Sequence, residues 1–224
     1  MTASRSLTCL LAILLLLGTA FLGAGSAVHP VLAGDAARDL PLMASTAHWR
    51  MMHLLMLTGS GLVIAGIWVR VLDGQSSELS THRTRVAVPL AAALGVVALG
   101  ETLNALNIAY MAGAGTHLAA VYAAGRAEAG PLFDATHSIG LMFARFGNFL
   151  IALGALMLGF LERADGSRPS WIAWLAWIAA VGGFLGVAFF QESSRGILAA
   201  VAILSGWQVA TAVLALVHIK RGGA

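Results

Sequence analysis

Residues 49–72 read WRMMHLLMLTGSGLVIAGIWVRVL. Between Arg50 and Arg70 the one ionisable side chain is His53, and the apolar residues lack the alternation of a half-buried strand. At 1.5 Å of rise per residue this stretch makes a helix of about 36 Å, enough to cross a hydrocarbon layer roughly 30 Å thick. In lipid every backbone polar group needs a partner within the protein, and a helix supplies one locally. The stretch is therefore read as a transmembrane helix.

Five more runs satisfy the same criterion: residues 7–27, 86–111, 139–161, 171–190 and 196–217. Between the spans lie short segments with turn and charge signals: GDAARDLP, DGQSSELSTHRTR, GRAEAGPLFDATH, ERADGSRPS and QESSR. The expected fold is an all-α polytopic bundle of six spans forming one transmembrane domain over residues 1–224. Residues 1–27 also have the basic start, apolar middle and small-residue end of a signal peptide. Cleavage there would leave five spans in unchanged orientation. The longest connection, 112–138, contains THLAAVYAAGRAE, read either as a short helix lying on the bilayer or as an irregular loop.

Composition agrees and excludes several classes. Hydrophobic residues make up 59% and charged residues 10%, against about a quarter charged in soluble domains. The one cysteine, Cys9, excludes an internal disulfide, a thiolate zinc cluster and an iron–sulfur cradle. The one lysine, Lys220, follows the last span and excludes a buried retinal Schiff base. A net charge of +3 spread over loop arginines gives no nucleic-acid surface. Walker, dinucleotide-glycine and HExxH motifs are missing from the sequence.

The basic residues orient the bundle. Arg5, Arg70, Arg83, Arg85, Arg163, Arg168, Lys220 and Arg221 would lie on one side, against Arg38, Arg50, Arg126 and Arg195 on the other. The positive-inside rule then places both termini in the cytoplasm. The arginine, alanine and glycine bias fits a GC-rich bacterial genome, hence a bacterial inner membrane. Trp171 and Trp174 suit an aromatic belt at the cytoplasmic face.

Ionisable and amide groups within spans are costly and mark pairing or function. They gather in the half of the bundle expected to face outward: His53, then Glu101, Asn104 and Asn107, then His137, Arg145 and Asn148. At 100° per residue, His137, Leu141, Arg145 and Asn148 lie at about 0°, 40°, 80° and 20° around their helix, one polar arc. Gly140, Gly147 and Gly154 form a separate stripe where another helix can approach. The arcs imply a polar pocket open to the outer side, binding a small polar or anionic ligand. A structural ion pair of Arg145 with Glu101 is the alternative use of the same residues.

Two cofactor readings compete with it. His48, Met52 and Met56 share a helix face, and His53 and His137 lie near the same mouth, so imidazole and thioether could hold copper. His53 and His137 on facing helices could instead ligate haem b. A membrane enzyme using Glu101 as base and Arg145 as anion holder is a further reading, without a nucleophile motif behind it. Partners are the lipid bilayer and a small molecule from the outer side; ligand and oligomeric state are open.

The six-span layout, GDAARDL ahead of ASTAHWRMMHLL, and the late SWIAWLAWIAAVGGFLG together resemble a family of uncharacterised six-helix bacterial membrane proteins, a domain of unknown function. The likeness covers residues 30–217. It implies the fold and the compartment, and it assigns no catalytic residue.

Overall fold

The computed structural model describes residues 3–76, 84–165, 169–190 and 195–221. They form α1 (Ala3–Ala27), α2 (Ala36–Ser45), α3 (Trp49–Ser76), α4 (Thr84–Tyr110), a π-helical turn (Met111–Gly115), α5 (Thr116–Ala123), α6 (Ala129–Asp165), α7 (Ser170–Phe189) and α8 (Arg195–Arg221). The described residues contain no strand. Six segments are long and apolar enough to span a bilayer, within α1, α3, α4 through α5, α6, α7 and α8. The chain is an all-α, multi-pass integral membrane protein.

The six long helices close a ring. α1 packs on α3, α3 on α4, α4 on α6, α6 on α7, α7 on α8, and α8 returns to α1. Small residues face inward and large ones face lipid, as expected where lipid tails remove the hydrophobic drive between helices. On α7, Ala176, Ala179, Ala180 and Gly183 are buried while Trp174, Ile178, Val181 and Leu185 are exposed.

Two glycine pairs set the tightest approaches. A Cβ on Gly18 would lie 2.8 Å from the Gly59 carbonyl, holding α1 to α3, and a Cβ on Gly147 would lie 2.7 Å from the Gly100 carbonyl, holding α4 to α6. Gly140 and Gly154 also meet α4, so the glycine stripe read from the sequence is the α4 face of α6.

α2, the π turn, α5 and the start of α6 cap one end. Leu40, Met43, Trp49, Met111, Leu118 and Phe133 form a second apolar core beneath this cap. Carboxylates satisfy its exposed backbone donors. Asp35 caps α2 by accepting from Arg38 N, and Asp134 accepts from Ala36 N at 2.8 Å. Buried Asp39 accepts from Ala33 N at 2.7 Å and Gly34 N at 2.9 Å.

The cap adds a helix where a turn was expected, makes 112–138 mostly helical rather than irregular, and lengthens the helix of the fourth span. GDAARDLP contains the start of α2 and is not merely a turn. Residues 112–138 are mostly helical, because Thr116–Ala123 form α5 and α6 begins at Ala129 rather than at residue 139. Ala129, Phe133 and His137 are buried at helical spacing, so the amphipathic first turns of α6 lack the uniform apolar texture of its later part. At 1.5 Å per residue, the 37 residues of α6 span about 55 Å and extend beyond the hydrocarbon layer.

The opposite end holds a pair that the sequence reading missed. Arg70, counted among the loop cations, is buried and its Nη2 donates to Glu162 Oε1 at 2.8 Å, tying α3 to α6. A charge at the end of an apolar run looks like a flanking residue, and only the neighbouring helix reveals its partner.

Candidate functional site

Within the ring, in the half nearer the cap, lies a cavity of about 620 Å³ bordered by α1, α3, α4, α6 and α8. Its wall is largely apolar, with amides, hydroxyls and one carboxyl set into it. Glu101, buried on α4, accepts from Gln208 Nε2 of α8 at 2.7 Å. Gln208 Oε1 in turn lies 3.5 Å from the Thr19 hydroxyl of α1, which donates to it. Asn104 Nδ2 donates to Asn148 Oδ1 at 3.0 Å across the α4–α6 interface.

Ser60 and Asn107 border the cavity, but Ser60 Oγ and Asn107 Oδ1 are themselves closed off from it, without a hydrogen-bond partner among the described residues, and Asn107 Oδ1 lies against Gly140 of α6. Buried polar atoms in folded proteins are nearly always satisfied, by protein, water or ligand. Both atoms belong to helices whose backbones are fixed by neighbours, so neither can simply turn to solvent.

Towards the cap a smaller cavity of about 150 Å³ adjoins, sharing Ser26, His29, Met56 and Asn107 with the larger one. His53 and His137 border it. His29 Nε2 and His53 Nε2 lie 3.2 Å apart. His29 Nδ1 bonds the Pro30 carbonyl at 2.6 Å and His53 Nδ1 bonds the Trp49 carbonyl at 2.9 Å. Burial lowers the pKa of His29 below the usual imidazole value, with the Pro30 carbonyl acting in the opposite sense. His137 stacks between Phe133 and Tyr110, with ring centroids 4.7 and 6.2 Å away.

Most residues singled out from the sequence meet at these cavities. Glu101, Asn104, Asn107 and Asn148 line the larger one, and Asn107, His53 and His137 line the smaller. Arg145 does not join them. Its Nη2 donates to the Phe190 carbonyl at 3.0 Å, at the end of α7, and Glu101 is held by Gln208 instead. The Arg145 side chain leans towards the N-terminus of α6, as helical side chains do, and so reaches the rim rather than the interior.

The copper set read from one helix face also separates. His48 has φ 66° and borders an outer groove with Arg50, while Met52 is buried in the apolar core of the cap. Met56 alone of that trio faces the cavities. His53 and His137 both border the smaller cavity, but no contact between the two is shown.

Sequence reasoning missed His29, Gln208, Thr19 and Ser60. His29 lies in the irregular segment after α1, where no helical period points to it. Gln208 appears from the sequence as an isolated mid-span amide, and its meeting with Glu101 depends on α8 closing the ring.

These observations define the class: a multi-pass integral membrane protein with six helices able to span a bilayer and a largely apolar cavity between them. Comparison with protein-family models, with curated proteins and with solved structures finds no match. The layout resemblance noted from the sequence accordingly lends no role to any residue.

Proposed function

We infer that the protein is a binding module for a small hydrogen-bonding molecule, acting as a sensor or transport accessory, with the capped end facing outward from a bacterial inner membrane. The observation that carries this reading is the cavity itself, into whose largely apolar wall the hydrogen-bonded pairs Glu101–Gln208 and Asn104–Asn148 are set. A volume of about 620 Å³ falls among small-molecule sites, which run roughly 300–1,000 Å³ with few, placed polar groups. The charge balance favours a neutral or cationic ligand over an anionic one. Glu101 lines the cavity, no arginine or lysine does among the described residues, and Arg145 is engaged at the rim. The enzyme reading loses its paired groups for the same reason. The positive-inside count supports the orientation.

Native mass spectrometry of the full chain in mild detergent tests the reading. Wild type is expected to carry a small-molecule adduct, and the Asn104→Leu/Asn148→Leu double variant to lose it while remaining monodisperse. Leucine is close in size to asparagine and replaces both hydrogen-bonding partners together, which limits the stability loss. A bare wild-type mass contradicts the proposal, as does an adduct retained equally by the variant.

A further inference from the structure

The smaller cavity holds two imidazoles whose arrangement calls for a cation. A carbonyl oxygen only accepts, so the Nδ1 contacts with Pro30 and Trp49 place the hydrogen on Nδ1 in both His29 and His53. In the neutral rings both Nε2 atoms then carry bare lone pairs, and these face one another at 3.2 Å. Facing lone pairs repel unless a positive centre lies between or beside them.

Either a proton or a metal ion could be that centre, and the surroundings favour the metal. With metal–nitrogen bonds of about 2.0 Å, two ligands on one tetrahedral edge lie about 3.3 Å apart. The observed 3.2 Å matches that edge. Metal-bound histidines almost always donate their second ring N–H to a carbonyl, carboxylate or water, as both rings do here. Trp49 packs on both rings, with centroids 5.0 Å from His29 and 4.5 Å from His53, and is itself pinned by its Nε1 donating to the Met111 carbonyl.

The other donors narrow the metal. Met56, three residues after His53 and on the same helix face, borders the cavity, as does Met111. No carboxylate lines it, and although His137 borders it as well, no three His, Cys, Asp or Glu side chains among the described residues come close enough together to hold one ion. Among the side chains bordering the cavity, the other soft donors are the thioethers of Met56 and Met111. Neutral imidazole and thioether suit a soft, monovalent ion, whereas Zn(II) would gain no thiolate or carboxylate to balance its charge. We propose that His29 and His53, completed by Met56, form a Cu(I) site beneath the cap. His29 and Met56 also border the larger cavity, so the two sites share a wall, but the copper site requires no organic ligand there.

Full-length protein in detergent, loaded anaerobically with Cu(I) and competed with bathocuproine disulfonate, is expected to retain one ion per chain. His29→Ala, His53→Ala and Met56→Leu should each weaken retention by at least about ten-fold, the smallest loss typical of disturbing a metal site's supporting groups. His117→Ala, exposed on the cap, should bind as wild type. X-ray absorption on Cu(I)-loaded wild type needs no variant to fold, and should find two nitrogens at about 2.0 Å and a sulfur at about 2.3 Å. The proposal is overturned by a wild type that retains no copper, by His29→Ala binding at wild-type strength, by a shell lacking sulfur, or by preferential retention of Zn(II).

Discussion

Gly147→Leu is expected to abolish the folded protein, and Gly147→Ala to destabilise it by about 1–3 kcal/mol, the ordinary cost of overpacking. A Cβ at this position would stand 2.7 Å from both the Gly100 carbonyl and Asn104 Oδ1. The first contact is with backbone, so rotating a side chain cannot relieve it. α4 and α6 would have to separate, and separation would also part Asn104 from Asn148. Fluorescence-detected size exclusion checks the leucine variant, and a melting curve the alanine variant. Gly61→Ala, with nothing within 4 Å of the added Cβ, serves as the control and should melt like wild type. A Gly147→Leu protein that stays monodisperse with a wild-type melting point would show that the two helices do not touch there.

The second large effect concerns the end remote from the cap. Arg70→Leu would leave the Glu162 carboxylate buried without its guanidinium, and breaking a buried pair from one side costs about 3–5 kcal/mol. Glu162→Leu should cost a similar amount by stranding Arg70. The double variant Arg70→Leu/Glu162→Leu should recover most of the loss, because a buried ion pair and apolar side chains of comparable size are often close in stability. Melting temperatures of the three variants form a double-mutant cycle. Additive losses would mean that the two side chains do not act as a pair.

These interactions also mark where sequence reasoning reaches and where it stops. The spans were legible because bilayer thickness imposes a length that few other constraints mimic. The Gly140, Gly147 and Gly154 stripe was legible because residues seven apart stay on nearly one helix face, and the structure puts α4 against it. The same angular arithmetic put Asn104 and Asn148 on the polar arcs of their helices, but their contact appears only once α4 packs on α6.

What escaped depends on helix order around the ring and on irregular backbone. Nothing in the sequence says that α8 closes against α1, so Gln208 could not be matched to Glu101. His29 sits beyond the end of α1 and meets His53 only because the chain turns back over the ring towards α2. Arg145 carries the other lesson. Its position on the helix was read as part of a polar arc, but a long side chain leaning towards the N-terminus of α6 took its head group to the Phe190 carbonyl. In α6 the apolar period of the first turns was present, at Ala129 and Phe133, but was masked by the polar residues between them.

Cysteine labelling tests most directly whether the ring encloses a water-accessible polar cavity. In a Cys9→Ser background, Ser26→Cys and Ser205→Cys place thiols at that wall, while Ile178→Cys places one on the lipid-facing side of α7. Cells treated from outside with a small, membrane-impermeant cationic thiosulfonate should label both cavity positions and leave Ile178→Cys unmodified. Labelling only after permeabilisation would reverse the assigned orientation and leave the cavity standing. Thiols at positions 26 and 205 as inert as the one at 178, in intact and permeabilised cells alike, would contradict the cavity itself.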